Sequence, residues 1–345
     1  MKSIRITIIM RCRMFPVLVI LLAVLCPRGE ARAMEITPFA TFNQSPLAQI
    51  YGLPAAEGSM IVPFGHLTAR LSLDMASNFT ISQNGSETIA LDGETYRTTL
   101  ALRYGLRDGV EIGMDIPTVD EGGGFLDNSI IAFHDFFKID QNGRDTERRN
   151  RLRFRYEDRN GERFSIMRPN GGIGDIRLLG GVQLYHNGKE SPQAVALRAS
   201  LKLPTGDSGS LHGSGSTDFA FWLSATDAHK LQVGHWSLFG AVGAMITSTG
   251  DVLPDKQRHL AGFGNMGIGW SPLWWLAFKT QLNWNTPMYK QSSLKELSVT
   301  SVQWIVGQTI TFSPRIALDL GVSEDLLVNS TSPDFGINMA LRMFF

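Results

Sequence analysis

Apolar residues return at every second position in stretch after stretch of this chain, and no other feature narrows its fold as much. Strict alternation puts successive side chains on opposite faces of an extended strand. The C-terminus shows it best. Phe335, Ile337, Met339, Leu341, Met343 and Phe345 share one parity, and Gly336, Asn338, Ala340, Arg342 and Phe344 share the other. Upstream, apolar faces run over 67–75, 96–104, 110–116, 176–184, 195–203, 219–225, 236–246, 266–270, 274–284, 302–312 and 316–322, which makes twelve strands in all. Gln308 interrupts its face, which suggests a bulge there.

Every second connection is short (105–109, 186–193, 227–234, 271–272, 313–315), and the others are long (80–94, 118–171, 204–215, 248–260, 285–297, 323–333). Short turns at one rim, long loops at the other and an even strand count mark a transmembrane barrel. Aromatics near strand ends (Tyr96, Tyr104, Trp270, Trp274, Trp284, Phe312) fit its interfacial girdles. A soluble sandwich also alternates, but its polar face is solvated. Here that face is rich in Gly, Ala, Ser and Thr with scattered charges, as a confined lumen requires. The expected fold is all-β, an antiparallel transmembrane β-barrel of about 12 strands with long outer loops over residues 65–345.

Residues 1–33 read as a cleaved signal peptide. Lys2, Arg5, Arg11 and Arg13 form a basic start, 15–26 is apolar, and Ala31-Arg32-Ala33 fits the cleavage pattern. The apolar run is too short to span a bilayer as a helix. Both cysteines, Cys12 and Cys26, go with the leader, so no disulfide, thiolate metal site or cysteine nucleophile is expected in the mature chain. The leader takes six of 32 basic and one of 32 acidic residues, leaving 26 against 31. Nothing in that balance suits a nucleic-acid partner. The expected location is the outer membrane of a Gram-negative cell.

Residues 34–64 hold Pro38, Pro46, Pro54 and Pro63 and show no clear period. Two placements are open: a hatch inside the lumen, leaning on Phe39, Phe42, Leu47, Ile50 and Tyr51, or a periplasmic arm under the barrel. The connection 118–171 is long enough to carry structure of its own. Asp127 is placed to cap a helix over 128–137 whose apolar face holds Ile130, Ile131, Phe133, His134 and Phe137, a candidate lid. Nine arginines follow over 144–168, with five acids among them and an Asn160-Gly161 turn, so a polar hairpin projecting outward is expected. Its guanidinium groups suit lipopolysaccharide phosphates, and its acids suit pairing within the hairpin. The lumen face is expected to carry Arg70, Arg97, Arg103, Arg177, Arg198, Lys202, Lys279 and Arg342 against Asp74, Glu111, Asp115, Asp175, Asp218 and Asp319. Such mixed charges serve either as the filter of a wet pore or as a plug of ion pairs.

Catalytic signals are weak. His212 with Ser208, Ser210 or Ser214 is the best nucleophile arrangement, and spacing alone does not make a triad. No metal-spaced cluster or phosphate-cradling loop appears, so neither enzyme activity nor a cofactor is expected.

Two motifs carry a resemblance. Asn43-Gln44-Ser45-Pro46-Leu47, running on through Ile50-Tyr51-Gly52-Leu53-Pro54, and Leu201-Lys202-Leu203-Pro204-Thr205-Gly206-Asp207 resemble an uncharacterised family of Gram-negative outer-membrane β-barrel proteins. Gly172 to Gly181 and Glu324-Asp325-Leu326 fit it too. The second motif is also similar to one in barrels linked to aromatic-compound degradation. The resemblance implies a barrel of unknown function and carries over no catalytic residue. Through the degradation-linked barrels it also implies small, apolar or aromatic solutes. The functional expectation is a passive channel for small solutes. The alternatives are a closed structural or adhesive barrel acting through its outer loops, and a lipid-active enzyme. Expected partners are outer-membrane lipid and lipopolysaccharide, and the barrel-assembly machinery through the C-terminal strand with its terminal Phe345.

Overall fold

The computed structural model describes residues 35–138, 143–188, 192–327 and 331–345; the leader assigned to 1–33 lies outside the described residues. Twelve long strands of the described chain form one antiparallel sheet closed on itself. They are β1 (Leu67–Asn84), β2 (Glu87–Arg107), β3 (Val110–Gly122), β7 (Arg177–His186), β8 (Gln193–Lys202), β9 (Asp218–Lys230), β10 (His235–Thr247), β11 (Leu260–Leu273), β12 (Leu276–Asn285), β13 (Ser301–Ser313), β14 (Ile316–Asp325) and β15 (Phe335–Phe344). The ring closes where β15 pairs with β1, from Thr68 opposite Phe344 to Ser77 opposite Phe335. Phe345 N donates to Leu67 O at 2.8 Å and Leu67 N to Phe345 O at 3.2 Å, so the last residue finishes the seam.

Alternation divides each strand as expected. On β9, Phe219, Phe221 and Leu223 are exposed, while Asp218, Ala220, Trp222 and Ser224 are buried. Leu100, Leu197, Leu238, Ile268, Phe278 and Val306 continue the exposed belt round the barrel. An apolar band of this extent is stable only against lipid. No helix of the described residues is long and apolar enough to cross a membrane; strands do the crossing.

Three short strands and two helices lie beyond the loop end: β4 (Arg153–Asp158), β5 (Gly161–Ile166), β6 (Asn170–Ile173), α1 (Asp127–Phe137) and α2 (Lys295–Ser298). Here three sequence expectations change. The stretch 80–94 is the tip of a long β1–β2 hairpin, paired as far as Asn84 with Glu87. The arginine-rich segment does form a hairpin, β4–β5, but β4 pairs along Thr88–Asp92 of β2 and turns Phe154 and Tyr156 into an apolar core. It therefore roofs the loop end rather than projecting outward. Gln308 makes no bulge; it sits in regular register between Phe278 and Leu320, and the irregularity falls at Thr311/Ser313.

Candidate functional site

The lumen is filled by the chain's own residues 35–62. Residues 37–47 climb beside β12 at a constant offset. Lys279 Nζ donates to Thr37 O (2.9 Å), Phe39 N to Gln281 Oε1 (2.8 Å), Asn283 Nδ2 to Thr41 O (3.2 Å), Asn43 Nδ2 to Asn285 Oδ1 (3.2 Å) and Tyr289 OH to Leu47 O (3.2 Å). Each partner lies 242 positions further on, so segment and strand run parallel, residue for residue. The chain then descends along β7 and β8. Arg177 donates to Leu53 O (2.6 Å) and Tyr51 O (3.3 Å), and Arg198 to Gly58 O (2.6 Å) and Met60 O (3.2 Å). It leaves past Glu111 and Gly105 at the turn end. Both ends of the segment thus lie at the turn end, and its crest, at Leu47, Ile50 and Tyr51, joins the apolar core of the loop end.

All fourteen predicted lumen charges point inward, and twelve of them are buried; Arg70 and Arg342 are partly covered. They hold one another and the segment. Glu57 of the segment pairs with Arg103, Arg70 (3.4 Å) and Arg198 (3.6 Å), three arginines from three strands. Arg103 also meets Asp115 (2.8 Å), and Arg198 meets Glu111 (2.7 Å). Asp319 takes Lys279 (2.7 Å) and Arg342 (2.8 Å). Asp74 accepts from Asn338 Nδ2 at 2.8 Å. Arg97 and Arg177 flank the Phe42 ring at 5.3 and 4.8 Å from its centroid. Pairing of this kind is what buried charge requires.

The family-like motifs meet at Lys202. Its ammonium lies 2.5 Å from Asp175 Oδ2, 3.3 Å from Asp218 Oδ2, 2.6 Å from Ser214 Oγ and 3.2 Å from Ile50 O. Gly52 N donates to Asp218 Oδ2 at 2.7 Å. A Cβ on Gly52 would stand 2.8 Å from Asp218 Cβ, so only glycine lets the backbone approach this closely. Thr205 Oγ1 donates to Gly174 O, and Gly206 N to Asp175 Oδ1, which ties the loop after Pro204 to the start of β7.

Sequence reading missed the opposite wall. Trp222, Phe239, Met245 and Phe263 face inward and are buried, on β9, β10 and β11. The signal was present: Trp222 shares its parity with Asp218 and Ser224. Glu57 was missed too, because a lone acid in an aperiodic segment announces no partner. Between segment and wall the space is small. One cavity, lined by Phe42, Leu53, Trp222, Ala241 and Phe263, measures about 30 Å³, and a second beside Asp74 and Asn338 about 10 Å³.

The helix expected over 128–137 forms as α1, and Ile130 and Ile131 are buried; the side chains of Phe133, His134 and Phe137 lie outside the described ones. The Asp127 carboxylate accepts from Arg144 and from Asn150 N, while Glu94 receives Phe125 N and Leu126 N at the helix entrance. The roof itself comes from elsewhere: Phe154, Tyr156 and Ile166 of the hairpin, with Leu211, Val252, Leu253, Leu294 and Leu297 of the loops. His212 meets Asn170 Oδ1 at 2.6 Å, while Ser208, Ser210 and Ser214 bond to Asp251, Asp207 and Lys202. Burial lowers the His212 imidazole below its usual value, and its ring Nε2 meets Asn170 rather than a serine hydroxyl. Among the described residues no group of His, Cys, Asp and Glu could hold a metal ion.

A family model described as a protein of unknown function (DUF3187) matches residues 15–345. No curated protein matches the sequence. Among solved structures, the chain is similar to an outer membrane channel from Pseudomonas putida F1, with a TM-score of 0.52 and 13% identity over 83% of this chain and 98% of that one. NanC porin follows at 0.42 and 8% identity, covering 80% and 98%. The P. putida toluene transporter TodX stands at 0.32 and 9% identity, covering 81% and 88%. The first of these shares the fold, that of an outer-membrane barrel.

Proposed function

The chain belongs to the DUF3187 family of proteins of unknown function, and on that premise we propose that it is a passive outer-membrane channel closed at rest by its own residues 35–62. One observation carries this reading. The wall does not fill its own lumen; a separate stretch does so through hydrogen bonds and ion pairs. Polar groups that lose such an occupant can be hydrated by incoming water, whereas an apolar core pulled apart cannot. The naming of the P. putida F1 barrel as a channel agrees with it. In this reading the lumen charges grip the hatch and one another at rest and line the path when it leaves. The leader directs export, the turn end faces the periplasm, and the exposed arginines of the roof, such as Arg148, Arg159 and Arg168, face lipopolysaccharide.

The test exploits a mature chain without cysteine. A Cβ at Gly269 would lie 2.4 Å from Ile36 Cγ2, so the two positions touch across the lumen and side chains placed there are within reach of each other. Ile36→Cys with Gly269→Cys should therefore tether the start of the hatch to β11. In planar bilayers the reduced protein is expected to show stepwise conductance under voltage, and the oxidised protein to stay silent. Silence of the folded, reduced protein and of a folded variant lacking 35–62 would remove the channel reading. The second reading is a closed barrel acting through its loops. It is favoured by the apolar core of the roof, and it would then stand.

A further inference from the structure

We propose that the path vacated by residues 35–62 takes aromatic carboxylates, and that the Phe42 ring and the Glu57 carboxylate hold their places in the closed barrel. The proposal rests on the hatch reading and deepens it. Phe42 sits where two unlike walls meet. On one side are the guanidinium groups of Arg97 on β2 and Arg177 on β7, at 5.3 and 4.8 Å from the ring centroid. On the other, Trp222, Ala241 and Phe263 line the small cavity that Phe42 also lines. Apolar side chains and the faces of guanidinium planes both accept an aromatic ring.

Carboxylates are near, Asp74 opposite Arg97 and Asp115 opposite Arg177 in the strand register, yet each guanidinium keeps one nitrogen unmet. Arg97 is 3% exposed, yet its Nε is buried without a partner. Arg177 Nε is likewise without one, and the acceptors of its terminal nitrogens are Leu53 O and Tyr51 O of the hatch. When the hatch leaves, both groups lose what they hold, the ring included. Arg97 faces Asp74 across the β1–β2 register, but Asp74 accepts from Asn338 at 2.8 Å. A guanidinium pair in a confined space, beside an apolar wall, is matched by a flat ring bearing one carboxylate.

A second station lies further down. Glu57 offers its carboxylate to Arg70, Arg103 and Arg198. Once Glu57 leaves, these three arginines keep, among the described residues, only Asp115 and Glu111 as ion-pair partners. An incoming carboxylate therefore competes with the hatch for the same cations. Binding of solute and release of the hatch become one exchange.

The experiment uses the full mature chain carrying Ala56→Cys, its single thiol. Ala56 is buried on the hatch, so maleimide labelling in detergent reports how often the hatch leaves. Benzoate is expected to speed labelling about tenfold, corresponding to about 1.4 kcal/mol of preference for the open form. Acetate at the same concentration, which can meet only the Glu57 station, should speed it clearly less, and benzyl alcohol not at all. Adding Arg97→Gln should cut the benzoate effect to that of acetate, and adding Phe42→Ala, which empties the slot, should leave it in place at lower benzoate. Equal acceleration by acetate would reduce the site to one for simple anions, and equal acceleration by benzyl alcohol to one for rings; either overturns the proposal. So does labelling that benzoate leaves unchanged while the reduced, untethered channel conducts. Labelling seen only in denaturant, with no conductance, removes the hatch reading and this proposal together.

Discussion

Lys202 is 1% exposed and shares its ammonium among Asp175, Asp218, Ser214 and the Ile50 carbonyl. Lys202→Met would leave two buried carboxylates without their cation, a change that costs about 3–5 kcal/mol. The expected outcome is a clear fall in the temperature at which the folded form is lost on a heat-modifiability gel. Arg155 is the control. It pairs with Glu157 and Glu162 on the exposed side of the β4–β5 hairpin. Arg155→Ala should change stability by less than about 1 kcal/mol on the same gel. The sequence showed that Lys202 faces inward, because Leu201 and Leu203 hold the other parity. It did not show the partners. Asp175 and Ile50 lie 27 and 152 positions away, and no local pattern links them.

At the scale of elements, the β1–β2 hairpin is the instructive case. Along β2 the inward face changes character. Thr95, Arg97 and Arg103 are polar where the strand crosses the membrane, while Ile89 and Leu91 on the same face are apolar and pack under β4. Beyond the apolar belt both faces are covered, since Ala90, Asp92 and Glu94 on the outward face are buried too, with Arg151 on Asp92 and the entrance of α1 on Glu94, so the lipid-facing period ends there. A reading tuned to a lipid-facing period took 80–94 for a loop for that reason. The roof has one electrostatic tie at the hairpin tip, well beyond the apolar belt. Glu87 accepts from Tyr156 OH (2.6 Å), Lys256 Nζ (2.6 Å) and Ser293 Oγ (2.6 Å), which joins the hairpin, β4 and two loops. Burial alone would raise the Glu87 carboxyl, but these donors outweigh it and hold it at about 2, below the ordinary value of 4.5. A depressed carboxyl stabilises the fold above its unfolded value and ceases to as pH falls through its folded one. The roof should therefore keep its full protection from proteolysis above about pH 4.5 and lose protection progressively toward pH 2. Glu87→Gln should be cut faster at pH 7 and lose most of that dependence. Unchanged cleavage of loop 286–300 in the variant would count against the tie.

At the scale of the whole molecule, closure depends on a seam joining the two ends of the barrel sequence. Removing Phe345 deletes the two hydrogen bonds it makes with Leu67, worth about 0.5–1.5 kcal/mol each. The expected result is a smaller folded fraction on refolding into detergent. If the barrel-assembly machinery reads the terminal residue, assembly in cells should suffer more than refolding in vitro. The alternation of apolar residues, the parity of Lys202 and Arg97 and the rhythm of short and long connections were all in the sequence. Lipid imposes the same demand on every outward residue, so the barrel wall is written locally and repeatedly. What fills the lumen was decided only by tertiary structure. Phe42 between Arg97 and Arg177, or Thr37 beside Lys279, depends on contacts across tens to hundreds of positions. Polar groups in a closed interior need some partner, and which partner they get is set by how the chain is threaded, not by any period along it.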